Sequence, residues 1–251
     1  MLKQQIDFFH ENGFLVVNDI FTKDDADHCN RLIRRHANID FAAIVNPDRY
    51  EDLIAQDERP KSNITLEEIE ETCNYFLSAM KNFKIVSTLE SLTGKEIVGL
   101  SSQFIFKEAY SRYASQAWSI HQDGWYPGDK HGDYVTANWF LRDTDVKNGT
   151  IFVYPGSHKL GLLHAQPQKS FREDYNKSPG SNCTLPDDFK IEKVDLEISK
   201  SSVVFLHGHC VHGSYPNTSE RSRPWHSFCY ITKGSNFVIG QNAKRREINL
   251  R

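Results

Sequence analysis

A close pair of residues and a third that lies far along the chain set the strongest limit on how it can fold. His121-Gln122-Asp123 is followed about 90 residues later by His212-Gly213-Ser214, with Arg223 eleven positions beyond. Two histidines and a carboxylate form the donor set of a mononuclear non-haem Fe(II) site. Three ligands take one face of the ion and leave three positions for a cosubstrate and oxygen. Residues i and i+2 of a strand project to the same side, so His121 and Asp123 can reach one ion from a strand end. Any fold that uses this set must bring the second histidine back to the first pair.

The residue patterning supplies such a fold. The first ~95 residues read as helical, and most of the remainder as strand. Leu2, Ile6 and Phe9 form an apolar stripe that Asn12-Gly13 stops, and Phe14 to Val17 read as a short buried strand. Thr22 with Asp25, and Thr65 with Glu68, have the form of capping boxes. The first opens a helix with Ala26, Cys29, Leu32 and Ile33 on its core face, the second one with Ile69, Cys73, Phe76, Leu77 and Met80. A further helix with Ile85, Leu89 and Leu92 stops at Gly94. From Glu96 the chain breaks into short β-rich runs: 97–100, 103–107, 117–121, 134–141, 150–153, 160–164, 189–194, 202–206 and 227–232. Many short strands with Gly, Pro and Asn between them predict a mainly β domain with flanking helices. The expected form is a double-sheet jelly roll of the cupin type, with the N-terminal helices packed on its major sheet. Polar stretches 40–63 and 165–188 read as long loops of the kind that often serve as lids.

Length and composition are consistent with one domain over 1–251, helical to about 95 and jelly roll from about 96 to 240. The net charge of −3 gives no footprint for nucleic acid, and Lys244-Arg245-Arg246 reads as a solvated tail. Five scattered cysteines without a CxxC pair point away from disulfides and structural zinc, and toward a reducing compartment. With no signal-length or membrane-length apolar run, the reading is a soluble, cytoplasmic protein.

The second histidine must be chosen among His207, His209, His212 and His226. His212 is favoured because Gly213 and Ser214 follow it: a small residue and a hydroxyl suit the approach of a bound anion. Arg223 then falls on the next strand, across a turn at Pro216-Asn217-Thr218. Its planar donor fork suits a carboxylate better than a lysine would.

With these residues in hand, the chain resembles the phytanoyl-CoA dioxygenase family in four blocks that occur in the family's order. They are Phe8-Phe9 through Gly13-Phe14-Leu15-Val16-Val17, His121-Gln122-Asp123, Asn148-Gly149-Thr150 through Pro155-Gly156-Ser157-His158, and Phe205-Leu206-His207-Gly208 through Val211-His212-Gly213-Ser214, Pro216-Asn217 and Ser219, with Arg223 after it. The resemblance implies a double-stranded β-helix that binds Fe(II) and 2-oxoglutarate. His121, Asp123 and His212 would be the iron ligands, Arg223 would grip the distal carboxylate, and Ser214 would stand beside it. Trp139 and Gln103, eighteen residues either side of His121, match family positions near the cosubstrate. The implied chemistry consumes O2 and 2-oxoglutarate, releases succinate and CO2, and hydroxylates an unactivated C–H bond, with ascorbate as a possible stimulant. Related iron halogenases lack the carboxylate that Asp123 supplies, which favours hydroxylation over halogenation and leaves desaturation, epoxidation and ring formation open.

The expected partner is a small molecule, with neither nucleic acid nor membrane. Trp118, Trp125 and Tyr126 are candidates for its pocket walls, and Arg49, Lys169 and Arg172 for contact with an anionic group. Two rival readings use the same residues. A cupin-type metalloenzyme independent of 2-oxoglutarate would have no need of Arg223. A non-catalytic jelly-roll binding protein would have no need of an intact ligand set.

Overall fold

Local chemistry sets several of the helix ends. The computed structural model describes residues 1–36, 43–45, 74–109, 114, 117–167, 181–240 and 245–251. Helix α1 (Lys3–Asn12) ends at Gly13, whose φ of 81° lets its N–H bond back to the Phe9 carbonyl at 2.7 Å. Of its expected stripe, Phe9 is buried and Ile6 half-buried, whereas Leu2 precedes the helix and is 69% exposed. Helix α2 (Lys23–His36) opens on the expected capping box: the Thr22 N–H donates to Asp25 Oδ2 at 2.8 Å, and the Asp25 N–H to Thr22 Oγ1 at 3.0 Å. Residues 74–80 are helical, and α3 (Phe83–Thr93) follows, capped by Asn82 and stopped at Gly94. The Thr65–Glu68 box, Ile69 and Cys73 lie outside the described residues. No described helix is long and apolar enough to cross a membrane.

Twelve strands among the described residues form the β part: β1 (Phe14–Val17), β2 (Ala43–Val45), β3 (Ile97–Lys107), β4 (Trp118–His121), β5 (Tyr134–Phe140), β6 (Ile151–Val153), β7 (Ala165–Pro167), β8 (Ser181–Cys183), β9 (Val194–Asp195), β10 (Val203–His207), β11 (His212–Ser214) and β12 (Arg223–Thr232). A six-stranded sheet runs β1-β10-β5-β12-β3-β2, a four-stranded sheet runs β4-β11-β6-β9, and β7 pairs with β8. Named pairings in all three sheets are antiparallel.

The two faces of the large sheet do different jobs, and strand alternation assigns residues to them. Val135, Ala137, Trp139, Phe205 and Phe228 pack outward with Phe9, Cys29, Met80 and Leu89 of the helices. Phe140, Val204, Leu206 and Trp225 pack inward with Ile151 and Val153 of the small sheet. This is the expected jelly-roll sandwich with helices on the major sheet. Among the described residues, Cys29, Cys183, Cys210 and Cys229 are free and buried.

Several strand boundaries differ from those the sequence predicts. Runs 97–100 and 103–107 form one continuous strand, because Ser101 and Ser102 pair with β12 despite their polarity. Run 160–164 is not a strand: a 3-10 turn, Ser157–Leu160, enters it and Gly161 follows with a φ of 72°. Only Val194 of run 189–194 pairs, and the stretch 165–188 contains the β7–β8 hairpin where a loop is predicted.

The small sheet is tight around Gly213, the middle residue of β11. A Cβ there would lie 2.7 Å from the Trp118 carbonyl oxygen and 2.6 Å from Phe152 Cζ. Gly213→Ala is therefore expected to cost about 1–3 kcal/mol of stability in urea unfolding; an unchanged midpoint would mean that β4 and β6 leave room there.

Candidate metal centre

The pairing of β4 with β11 brings the distant histidines together. Their register sets His212 directly opposite His121, so the last residue of one strand meets the first of the other. Asp123 opens the 3-10 turn Asp123–Trp125 immediately after β4. His121 Nε2 lies 3.6 Å and His212 Nε2 3.7 Å from Asp123 Oδ1, and one donor atom from each residue lies within 4.8 Å of the others. Ligands at right angles around an ion, with bonds of about 2.1 Å, stand about 3 Å apart. A small inward adjustment would close the three onto a metal.

The backbone prepares both imidazoles for that role. His121 Nδ1 lies 2.8 Å from the Ser119 carbonyl oxygen and His212 Nδ1 3.0 Å from that of Cys210. A carbonyl can only accept, so each Nδ1 carries the hydrogen and each Nε2 offers its lone pair. Burial and then the His121 ring lower the pKa of His212, which favours the neutral imidazole that a metal needs. Burial acts to raise the Asp123 carboxyl, but the attraction of His212 and His121 prevails and holds it below its usual value. Thr136 also hydrogen-bonds Asp123, and Thr136 Oγ1 itself accepts from Asn138 Nδ2 at 3.0 Å. Among the described residues, His121, Asp123 and His212 are the group of His, Cys, Asp and Glu side chains placed to hold a metal ion.

Gln122, the residue between the first two, is fixed by three backbone groups. Its Nε2 donates to the Gly161 carbonyl at 2.8 Å and the His209 carbonyl at 2.7 Å, while Oε1 accepts from the Leu163 N–H at 2.7 Å. One buried side chain thus ties the end of β4 to the segment that leads into β11.

The other three histidines are engaged elsewhere. His209 Nε2 donates to the Asp129 carbonyl at 2.8 Å, and His207 Nδ1 accepts from the His209 N–H at 3.1 Å. His226 faces the helices, with its ring 3.9 Å from that of Phe104 and 4.0 Å from that of Phe228.

A second cluster sits on the inner face of the large sheet. Arg223 is fully buried, with its guanidinium carbon 3.8 Å from the centre of the Trp225 ring. Its register partner on β3 is Lys107, also fully buried, whose Nζ donates to Ser214 Oγ at 3.0 Å and to the Tyr215 carbonyl. Burial first, and then the like charge of Arg223, push the Lys107 ammonium down to about 5. A guanidinium, an amine and a hydroxyl brought together in the interior are suited to an anion.

Lys107 was the residue that the motifs did not reveal. Alternation from Gln103 along β3 puts it on the same face, but nothing in the sequence says which face is inner. Gln103 itself is half-buried on that face, opposite Ser227. Trp139, expected near the cosubstrate, is not brought to the triad. It lies one residue out of phase with Asn138 and stacks on Phe21 at 3.9 Å among the helix-facing residues. Near the triad stand Trp118, with its ring 5.9 Å from that of His121, and Tyr126 at 6.5 Å, which in turn packs edge-on to Trp125. Arg49, Lys169 and Arg172 lie outside the described residues.

Comparison with known proteins gives concordant results. The family model described as phytanoyl-CoA dioxygenase (PhyH) matches residues 9–225. Peroxisomal phytanoyl-CoA dioxygenase of Mus musculus is 26% identical over 230 residues, which cover 88% of this chain and 65% of that protein. The chain thus spans slightly under two thirds of the mouse relative's length. Among solved structures, the epimerase SnoN in complex with Fe3+, alpha ketoglutarate and nogalamycin RO superposes with a TM-score of 0.65 at 16% identity, over 92% of this chain and 83% of that one. The non-heme monooxygenase ThoJ gives 0.65 at 20% identity, over 97% and 88%. At such identities these two structures speak for the fold.

Cobalt(II) titration followed by absorption separates the histidines. His212→Ala should abolish tight binding, His209→Ala should keep it, and Gln122→Leu should weaken it about 10- to 100-fold through loss of ligand placement. Tight binding in His212→Ala would place the third ligand elsewhere.

Proposed function

The chain belongs to the phytanoyl-CoA dioxygenase family, and from that premise we propose that it is an Fe(II)- and 2-oxoglutarate-dependent oxygenase that hydroxylates a small molecule. The observation that carries this reading is the pair of Nε2 atoms facing Asp123, with Arg223 and Lys107 buried on the adjoining inner face of the large sheet. His121, Asp123 and His212 would hold the iron. Arg223 and Ser214 would bind the distal carboxylate of 2-oxoglutarate, and Gln103 would line the same cavity. Iron with 2-oxoglutarate and O2 supplies the oxidising power, turning the keto acid into succinate and CO2 as substrate is oxidised.

The residues of the chain bind, orient and exclude water. Trp118 and Tyr126 border the triad, and Trp125 is 37% exposed at the rim of that group. Aromatic walls of this kind favour a substrate with an apolar portion and shield the reacting bond from solvent. Asp123 would keep the third ligand position with the protein, which supports hydroxylation over halogenation. Arg223 beside the Lys107 amine and the Ser214 hydroxyl counts against an enzyme independent of 2-oxoglutarate, because this buried donor set matches a carboxylate.

The deciding experiment is a screen for succinate formation stimulated by candidate substrates, with Fe(II), 2-oxoglutarate, O2 and ascorbate to keep the iron reduced. Acyl-CoAs, amino acids and polyols form the panel. Asp123→Ala should abolish stimulated turnover, and full activity in that variant would contradict the ligand assignment. Arg223→Ala should raise the KM for 2-oxoglutarate by at least tenfold, in keeping with loss of a bidentate charged pair worth about 1.5–3 kcal/mol; an unchanged KM would put the carboxylate elsewhere.

A further inference from the structure

We propose that Lys107 is a positioning residue for the bound diacid: it aims the Ser214 hydroxyl at the distal carboxylate that Arg223 grips. Side chains of β3, β11 and β12 would then act as one anion subsite. This role rests on the oxygenase reading above and adds to it a residue that lies outside the motifs.

The register of β3 and β12 places Lys107 opposite Arg223. The lysine stem has little freedom. A Cβ on Gly149 would lie 2.9 Å from Lys107 Cδ, and the Lys107 carbonyl accepts from Asn217 Nδ2 at 2.9 Å. Asn217 Nδ2 also donates to the Arg221 carbonyl at 2.8 Å, so one amide ties the end of β3 to the turn that leads into β12. Arg223 is held in turn against Trp225.

Donor counting gives the lysine its function. Beside a bound anion the amine is held as an ammonium, which has donors and no acceptor. It donates to the Tyr215 carbonyl and to Ser214 Oγ. Ser214 Oγ is thereby made an acceptor from the lysine, and its own hydrogen is left to be donated onward. The carboxylate held by Arg223 is the group that can take it. A hydroxyl set in this way gives a directed, charge-supported bond in a dry interior, where it is strongest.

The test uses the full chain loaded with Mn(II) as a stand-in for iron, and calorimetric titration rather than turnover. Lys107→Met should bind 2-oxoglutarate about tenfold more weakly than the unaltered protein, the loss of one charge-assisted hydrogen bond. Pyruvate keeps the keto acid and lacks the distal carboxylate, so both proteins should bind it equally. Ser214→Ala should cost about as much as Lys107→Met, and the double variant no more than either, because the lysine acts through the hydroxyl. Equal weakening for pyruvate, or additive losses in the double variant, would overturn the role. Should Lys107→Met not fold, Lys107→Gln combined with Ser214→Ala runs the same cycle with a shorter donor. Unaltered protein that fails to bind 2-oxoglutarate would instead defeat the oxygenase reading, so the two failures are distinct.

Discussion

Everything at the candidate centre depends on one antiparallel pairing, that of β4 with β11. Neither strand is long: four residues meet three. Yet their register sets His121 against His212, and a slip of one residue would send one imidazole to the opposite face of the sheet. The pairing is locked from several sides. Gly213 admits the Trp118 carbonyl and Phe152 at distances no larger residue allows, and Gln122 ties the β4 end to the backbone around His209 and Gly161. The donor set is thus a product of sheet register rather than of local sequence.

The large sheet then divides labour between its faces. Its outer side is hydrophobic and receives the helices, which supplies burial and keeps the sheet rigid. Its inner side carries Thr136 and Asn138 near Asp123, and Lys107 with Arg223 beside Ser214. Polar groups in such positions cost stability unless each finds a partner. Arg223 and Lys107 are the most costly of them to bury, and Ser214 Oγ and the Tyr215 carbonyl receive the lysine.

Much of this was legible in the sequence, for local reasons. The capping box at Thr22 and the glycine stops at Gly13 and Gly94 are set by bonds within a few residues, and they read directly. The choice of His212 among four histidines also followed from its neighbours, Gly213 and Ser214. What could not be read depends on contacts between distant segments. Whether Trp139 faces the helices or the interior is a matter of parity, and parity is fixed by pairing with β10 and β12. Lys107 looks like the polar end of a strand until Arg223 and Ser214 arrive beside it. Ser101 and Ser102 break an apolar run yet continue the strand, because the ladder with β12 fixes them from outside.

Each candidate ligand imidazole bonds a main-chain oxygen two residues upstream of it, that of Ser119 for His121 and that of Cys210 for His212. A peptide oxygen stays in place whatever residue carries it. Side chains around the candidate centre can therefore change while these two oxygens still orient the imidazoles. The donor set is in this respect uncoupled from which side chains stand at positions 119 and 210.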